Sequence, residues 1–167
     1  MVKILFIGDI VGKAGRESLA HFLPTLQKEH DFDLVIANGE NVTHGRGLNK
    51  KHYLELTNLG VDVITLGNHF DDREELRNYI EDVKNIVRPL NLIANYPGEG
   101  SIVVETKKGD KVRVTNILGQ AFMKEVITSP LLALKLVVND NEPMIHIVDY
   151  HAEATAEKMT IAWEFDG

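Results

Sequence analysis

Short, nearly uninterrupted apolar runs recur down the first half of the chain, each separated from the next by an amphipathic stretch. "VKILFIG" (2–8), "LVIAN" (34–38), "VDVITLG" (61–67) and "NLIAN" (91–95) are too short for helices and too apolar for half-exposed strands. Strands buried on both faces read this way. Between them, "GRESLAHFLPTLQKEH" (15–30) puts Leu19, Phe22, Leu23 and Leu26 on one helical face, with Pro24 interrupting it. "NKKHYLELTNLG" (49–60) reads as a helix capped by Asn49 and stopped by Gly60, and a further helix is expected from about Asp72 to Glu81. Strand–helix–strand alternation implies a parallel sheet joined by right-handed crossovers.

After Pro97 the pattern changes. "SIVVETKKGDKVRVTNIL" (101–118) has the look of a hairpin around a Lys-Gly-Asp turn, and "MIHIVDYH" (144–151) is a further strand. Residues 120–143 are weakly patterned apart from "PLLALKLVV" (130–138), which reads as helical, and "ATAEKMTIAWEF" (154–165) begins as a helix. No repeat, linker or low-complexity tract divides the 167 residues, so a single domain over 1–167 is expected.

Composition narrows the function. The net charge of −7 disfavours a surface that tracks duplex nucleic acid, although a bound cation can reverse the local field for a small phosphate ester. With no cysteine, a thiol nucleophile and a zinc–thiolate centre are both excluded. The opening "MVKILFIGDI" has only about six apolar residues before Gly8 and Asp9, short of a signal sequence or membrane span, which points to the cytoplasm.

The strand ends carry the chemistry. Strand one closes on Gly8 and Asp9, strand two on Asn38, Gly39, Glu40 and Asn41, strand three on Gly67, Asn68 and His69, and the late strand on Asp149, Tyr150 and His151. Ligands of open α/β sheets bind beyond the carboxyl ends of strands. Oxygen and nitrogen donors in this mixture suit Mn²⁺, Fe²⁺ or Zn²⁺ better than Ca²⁺. Singly, each has a plainer role: Asp9 as a turn acid, Glu40 and Asn41 as loop residues, Asn68 as a turn former, His69 and His151 as packed histidines. Their recurrence at corresponding strand ends favours a shared site. His44, in "THGRG", is the remaining histidine placed to touch a substrate.

The stretches "ILFIGDIVGKAGRE", "LVIANGEN", the Gly-Leu at 47–48, "GVDVITLGNH", "RPLNLIANYP" and "VDYHAEATAEKM" resemble the bacterial YmdB-like branch of the calcineurin-like metallophosphoesterases. The resemblance implies an α/β/β/α sandwich of mixed sheets flanked by helices. It implies a dinuclear centre of two divalent ions (Mn, Fe or Zn), with Asp9 on one metal, Glu40 bridging, and Asn68 and His151 on the second. Asn41 would lie beside the centre. His69 would be the general acid, a task for which imidazole side chains are well suited. The implied substrate is a small phosphodiester such as a cyclic nucleotide. The family pattern also supplies two ligands from a Gly-His-x-His element beyond the "EFDG" at 164–167, and no His-x-His occurs in this chain. A site short of ligands, a fold lacking its last elements and exposed apolar surface that favours self-association are therefore expected.

Two function classes follow: a metal-dependent phosphodiesterase or phosphatase, and a catalytically impaired homologue acting as a regulatory binding protein. A phosphate-loop protein fits poorly, because Gly8 to Gly12 is one residue too short for G-x-x-x-x-G-K-[ST] and Ala14 stands where a hydroxyl is required.

Overall fold

The structure is a computed structural model that describes residues 1–92, 95–123, 127–138 and 145–166. Four parallel strands form the first sheet in the order β1 (Ile4–Ile7), β2 (Leu34–Asn38), β3 (Val63–Thr65) and β4 (Ile86–Val87). Helices α1 (Gly12–His30) and α2 (Lys50–Asn58) make the first two crossovers. The second sheet pairs β5 (Ser101–Glu105) antiparallel to β6 (Lys111–Leu118), and β6 parallel to β7 (Ile145–His151). Helices α3 (Pro130–Val138) and α4 (Thr155–Glu164) complete the described elements.

Strand alternation builds three apolar layers from this order. Val35, Ala37 and Ile64 face Leu19 and Leu23 of α1 and Leu56 of α2. Leu34, Ile36 and Val63 point the other way and pack with Val112 and Val114 of β6, closing sheet upon sheet. Ile117 on the far side meets Ala133 and Leu134 of α3 and Ile161 of α4. The layers are thus helix, sheet, sheet, helix, as the resemblance led one to expect. Every residue of β2 is buried, which its unbroken apolarity reflects.

Several local expectations are corrected. The helix expected over 72–81 is two short 3₁₀ turns, Glu74–Asn78 and Ile80–Asp82. Arg73 leaves helical space (φ −126°, ψ 103°) so that its guanidinium reaches the carbonyls of Arg46, at 3.0 Å, and Thr43, at 3.2 Å. The strand that pairs with β3 is Ile86–Val87, against Ile64 and Thr65, and not one within the expected 91–95. Asn91, 1% exposed, spends its side chain on cross-links instead, donating to the carbonyls of Leu118 and Thr128 and accepting from the Leu118 N–H. Leu92 forms a single bridge to Ile127, and residues 93–94 lie outside the described residues.

Helix α1 runs through Pro24 because Pro24 and Ala20 lie on its exposed side, where water can take the carbonyl that the proline leaves without a donor. Its apolar stripe is narrower than the sequence suggests: Leu19 and Leu23 are buried, whereas Phe22 and Leu26 are exposed. Asn49 does cap α2, accepting from the His52 N–H at 2.9 Å. No helix among the described residues is long and apolar enough to cross a membrane. Leu132 and Leu136 of α3, and Met159 and Trp163 of α4, are exposed.

Candidate functional site

The loops after β1, β2 and β3 meet the end of β7 at one edge of the sandwich. The loop after β2 is stapled from two directions: Arg16 of α1 donates to the Val42 carbonyl at 2.7 Å, and Arg73 to those of Thr43 and Arg46. Within it Thr43 Oγ1 lies 2.9 Å from His52 Nδ1 and accepts from the Asn49 N–H at 3.0 Å. Burial holds the His52 imidazole, 4% exposed, below its ordinary pKa.

On this frame Glu40 is 1% exposed, yet both carboxylate oxygens are held. Oε1 lies 2.7 Å from His151 Nδ1, and Oε2 accepts from the His69 backbone N–H at 3.2 Å. The hydrogen bond to Glu40 raises the His151 pKa, against the opposing effect of burial. Gly67 makes room for the pair, because a Cβ there would overlap the carboxyl carbon and both oxygens of Glu40. Replacing Gly67 with alanine should therefore cost about 1–3 kcal/mol in chemical denaturation, the scale of overpacking a filled site. A change below about 0.5 kcal/mol would show that Glu40 has room to retreat.

A second chain of bonds starts at Asp9, which is exposed at the surface. Its two oxygens accept from Asn41 Nδ2 at 3.0 and 2.9 Å, and Asn41 Oδ1 lies 2.7 Å from His69 Nδ1. A carboxylate only accepts, so Asn41 must turn its amino group toward Asp9 and its oxygen toward the imidazole. Hydrogen-bond logic thereby assigns the proton to Nδ1 of His69 and frees Nε2 for other partners. Asp9, Asn41, His69, Glu40 and His151 form one bonded series.

The remaining sequence candidates, Asn68 and His44, make no hydrogen bond within that series among the described residues. Asn68 lines an adjoining cleft with His69, Arg46, Asp72, Phe122 and Met123. His44 stands at φ 55° in the same loop as Arg46, its ring edge-on to His52 at 6.0 Å, and it is not among the residues lining that cleft. Arg46, 3.8 Å from Asp72, takes the cleft wall instead. Its only sequence signal was its place between the glycines of "HGRG".

Asp149 serves the frame. It accepts from Asn38 Nδ2 at 2.9 Å and Thr65 Oγ1 at 2.5 Å, tying β7 to the first sheet. Burial raises its pKa, and those hydrogen bonds oppose the rise.

Carboxylate, imidazole and amide donors of this kind suit a divalent cation of intermediate hardness. Among the described residues, no three His, Asp or Glu side chains converge tightly enough to enclose one. The donor set fits in kind, with the buried Glu40–His151 pair as its nucleus, and it is open.

Two sheets face to face between helices, with the polar series at their strand ends, define an α/β/β/α sandwich of the metallophosphoesterase type. The model of the YmdB-like protein family matches residues 5–167, and the chain belongs to that family. It is 39% identical to a 2',3'-cyclic-nucleotide 2'-phosphodiesterase of Bacillus subtilis, over 99% of this chain and 63% of that protein. Among solved structures it is similar to a phosphatase of Mycoplasma pneumoniae, with 42% identity and a TM-score of 0.91 over 99% of this chain and 60% of that one. A hypothetical protein of Thermus thermophilus superposes with a TM-score of 0.90 at 36% identity, covering 98% of this chain and 63% of that chain. The chain therefore spans roughly three-fifths of the length of these relatives.

Proposed function

We propose that this chain carries the metal-binding and proton-donating part of a phosphodiesterase acting on a small phosphodiester such as a cyclic nucleotide. The observation that carries the reading is the bonded series from Asp9 through Asn41 to His69, joined at Glu40 to His151. The name of the Bacillus subtilis relative supports the substrate class.

In this reading Asp9, Glu40, Asn68 and His151 hold two divalent cations, Mn²⁺, Fe²⁺ or Zn²⁺. Such ions polarise phosphoryl oxygens and lower the pKa of water near neutrality. The protein's own part is positional. Asn41 orients the Asp9 carboxylate and the His69 ring at once. His69, held through Nδ1, presents Nε2 outward and in its imidazolium form can protonate the departing alkoxide. Arg46, on the cleft wall, offers a guanidinium to the phosphoryl oxygens.

The test is hydrolysis of bis(p-nitrophenyl) phosphate with and without added Mn²⁺, for the parent chain and Asp9→Asn. Metal-dependent turnover that falls at least tenfold in the variant is expected. No metal-dependent turnover by the parent would end the catalytic reading for this chain. The open ligand set among the described residues favours one second reading, a chain that binds metal or phosphoester for regulation without turning it over. Calorimetric binding of Mn²⁺ without hydrolysis would be its signature.

A further inference from the structure

We propose that the Phe122 ring is a stacking platform for the aromatic base of a nucleotide-type phosphoester held in the cleft beside His69. The inference rests on the phosphoester reading and adds the residue that selects for a base. Phe122 is 87% exposed and stands at φ 65°, left-handed space that a bulky side chain rarely enters. Both features work against folding: the ring forgoes burial and its backbone is strained.

The turn that presents the ring is firmly built. Glu157 of α4 clamps it, its two carboxylate oxygens accepting from the N–H groups of Gln120 at 2.9 Å and Ala121 at 3.0 Å. One residue earlier, the Gly119 N–H donates to the carbonyl of His151 at 2.8 Å, so the turn hangs from the residue paired with Glu40. Phe122 and Met123 line the cleft that Asn68, His69 and Arg46 also line. Phe122 is the one aromatic ring among these lining residues other than the His69 imidazole, and its face is sequence-tolerant toward any base.

One cleft is thus lined by the His69 imidazole and the Arg46 guanidinium, which can meet a phosphoryl group, and by the Phe122 ring, which can meet a flat one; Asp72 and Glu153 line it as well. A nucleotide carries both a phosphoryl group and a flat ring. A sugar phosphate supplies only the first half.

The test is calorimetric binding of adenosine 5'-monophosphate and ribose 5-phosphate, with Mn²⁺ present, to the parent and to Phe122→Ala, Phe122→Gly and Phe122→Trp. The parent should bind the nucleotide about tenfold more tightly than the sugar phosphate, the scale of one base stacked on one ring. Phe122→Ala and Phe122→Gly should lose that preference and leave ribose 5-phosphate binding within about twofold, while Phe122→Trp keeps it. Phe122→Gly should also melt at or above the parent temperature, since glycine suits φ 65°. Equal affinity of the parent for the two ligands, or an unchanged preference in Phe122→Ala, overturns the inference and leaves the phosphoester site standing. Absence of binding of either ligand by the parent overturns both. Aggregation relieved by Phe122→Ala, with the nucleotide preference intact, would assign the ring to a protein contact instead.

Discussion

Replacing His151 with alanine should destabilise the protein by about 3–5 kcal/mol, the usual consequence of removing one partner from a buried charge pair. Glu40 is 1% exposed and its nearest basic side chain is His151, at 2.7 Å. Without the imidazole, the carboxylate must lose its charge or remain unpaired in a poorly solvated place. His151 itself keeps 24% of its side chain exposed, so water entering its vacated space should draw the loss toward the lower end. Urea denaturation of the parent, His151→Ala, Glu40→Gln and the double variant measures it. The double variant should be less damaged than the sum of the two singles, because the orphaned charge is absent. Strict additivity would show that the two side chains do not depend on each other.

His69→Ala should reduce turnover of a phosphodiester with an alkyl leaving group by about 10²–10⁴-fold, the range of a positioned general acid. The loss should shrink sharply for a p-nitrophenyl ester, whose leaving group departs without needing a proton. That contrast separates proton donation from a packing role, since a collapsed site would lose both substrates alike. His69 is suited to the task by its hydrogen bond to Asn41, which fixes the ring through Nδ1 at 2.7 Å. Asn41→Leu should therefore reproduce part of the leaving-group dependence while keeping the imidazole. An equal loss on both esters in His69→Ala would remove His69 from the role of acid.

The parallel sheet was legible because burial on both faces leaves a plain mark in sequence, the unbroken apolar run of "LVIAN". The 3₁₀ turns at 74–82 were not, since what broke the helix was a tertiary demand: Arg73 reaching for carbonyls of the loop after β2. At Asn91 a related demand acts, since its side chain serves remote backbone groups, which an apolar run does not record. At the candidate site, strand-end position singled out Glu40 and His151, which lie in contact, and Asp9 and His69, which are linked through Asn41. Arg46 and Phe122 left no periodic trace. Both lie in loops, where neither helix nor strand period operates.

The hydrogen bond from Asn38 to Asp149 joins positions 111 residues apart. The Glu40–His151 pair likewise joins the loop after β2 to the end of β7, so it forms only once both sheets are in place. Until that strand docks, Glu40 has no imidazole beside it. A chain stalled before residue 145 would therefore lack the buried Glu40–His151 pair and the Asn38–Asp149 tie between the sheets.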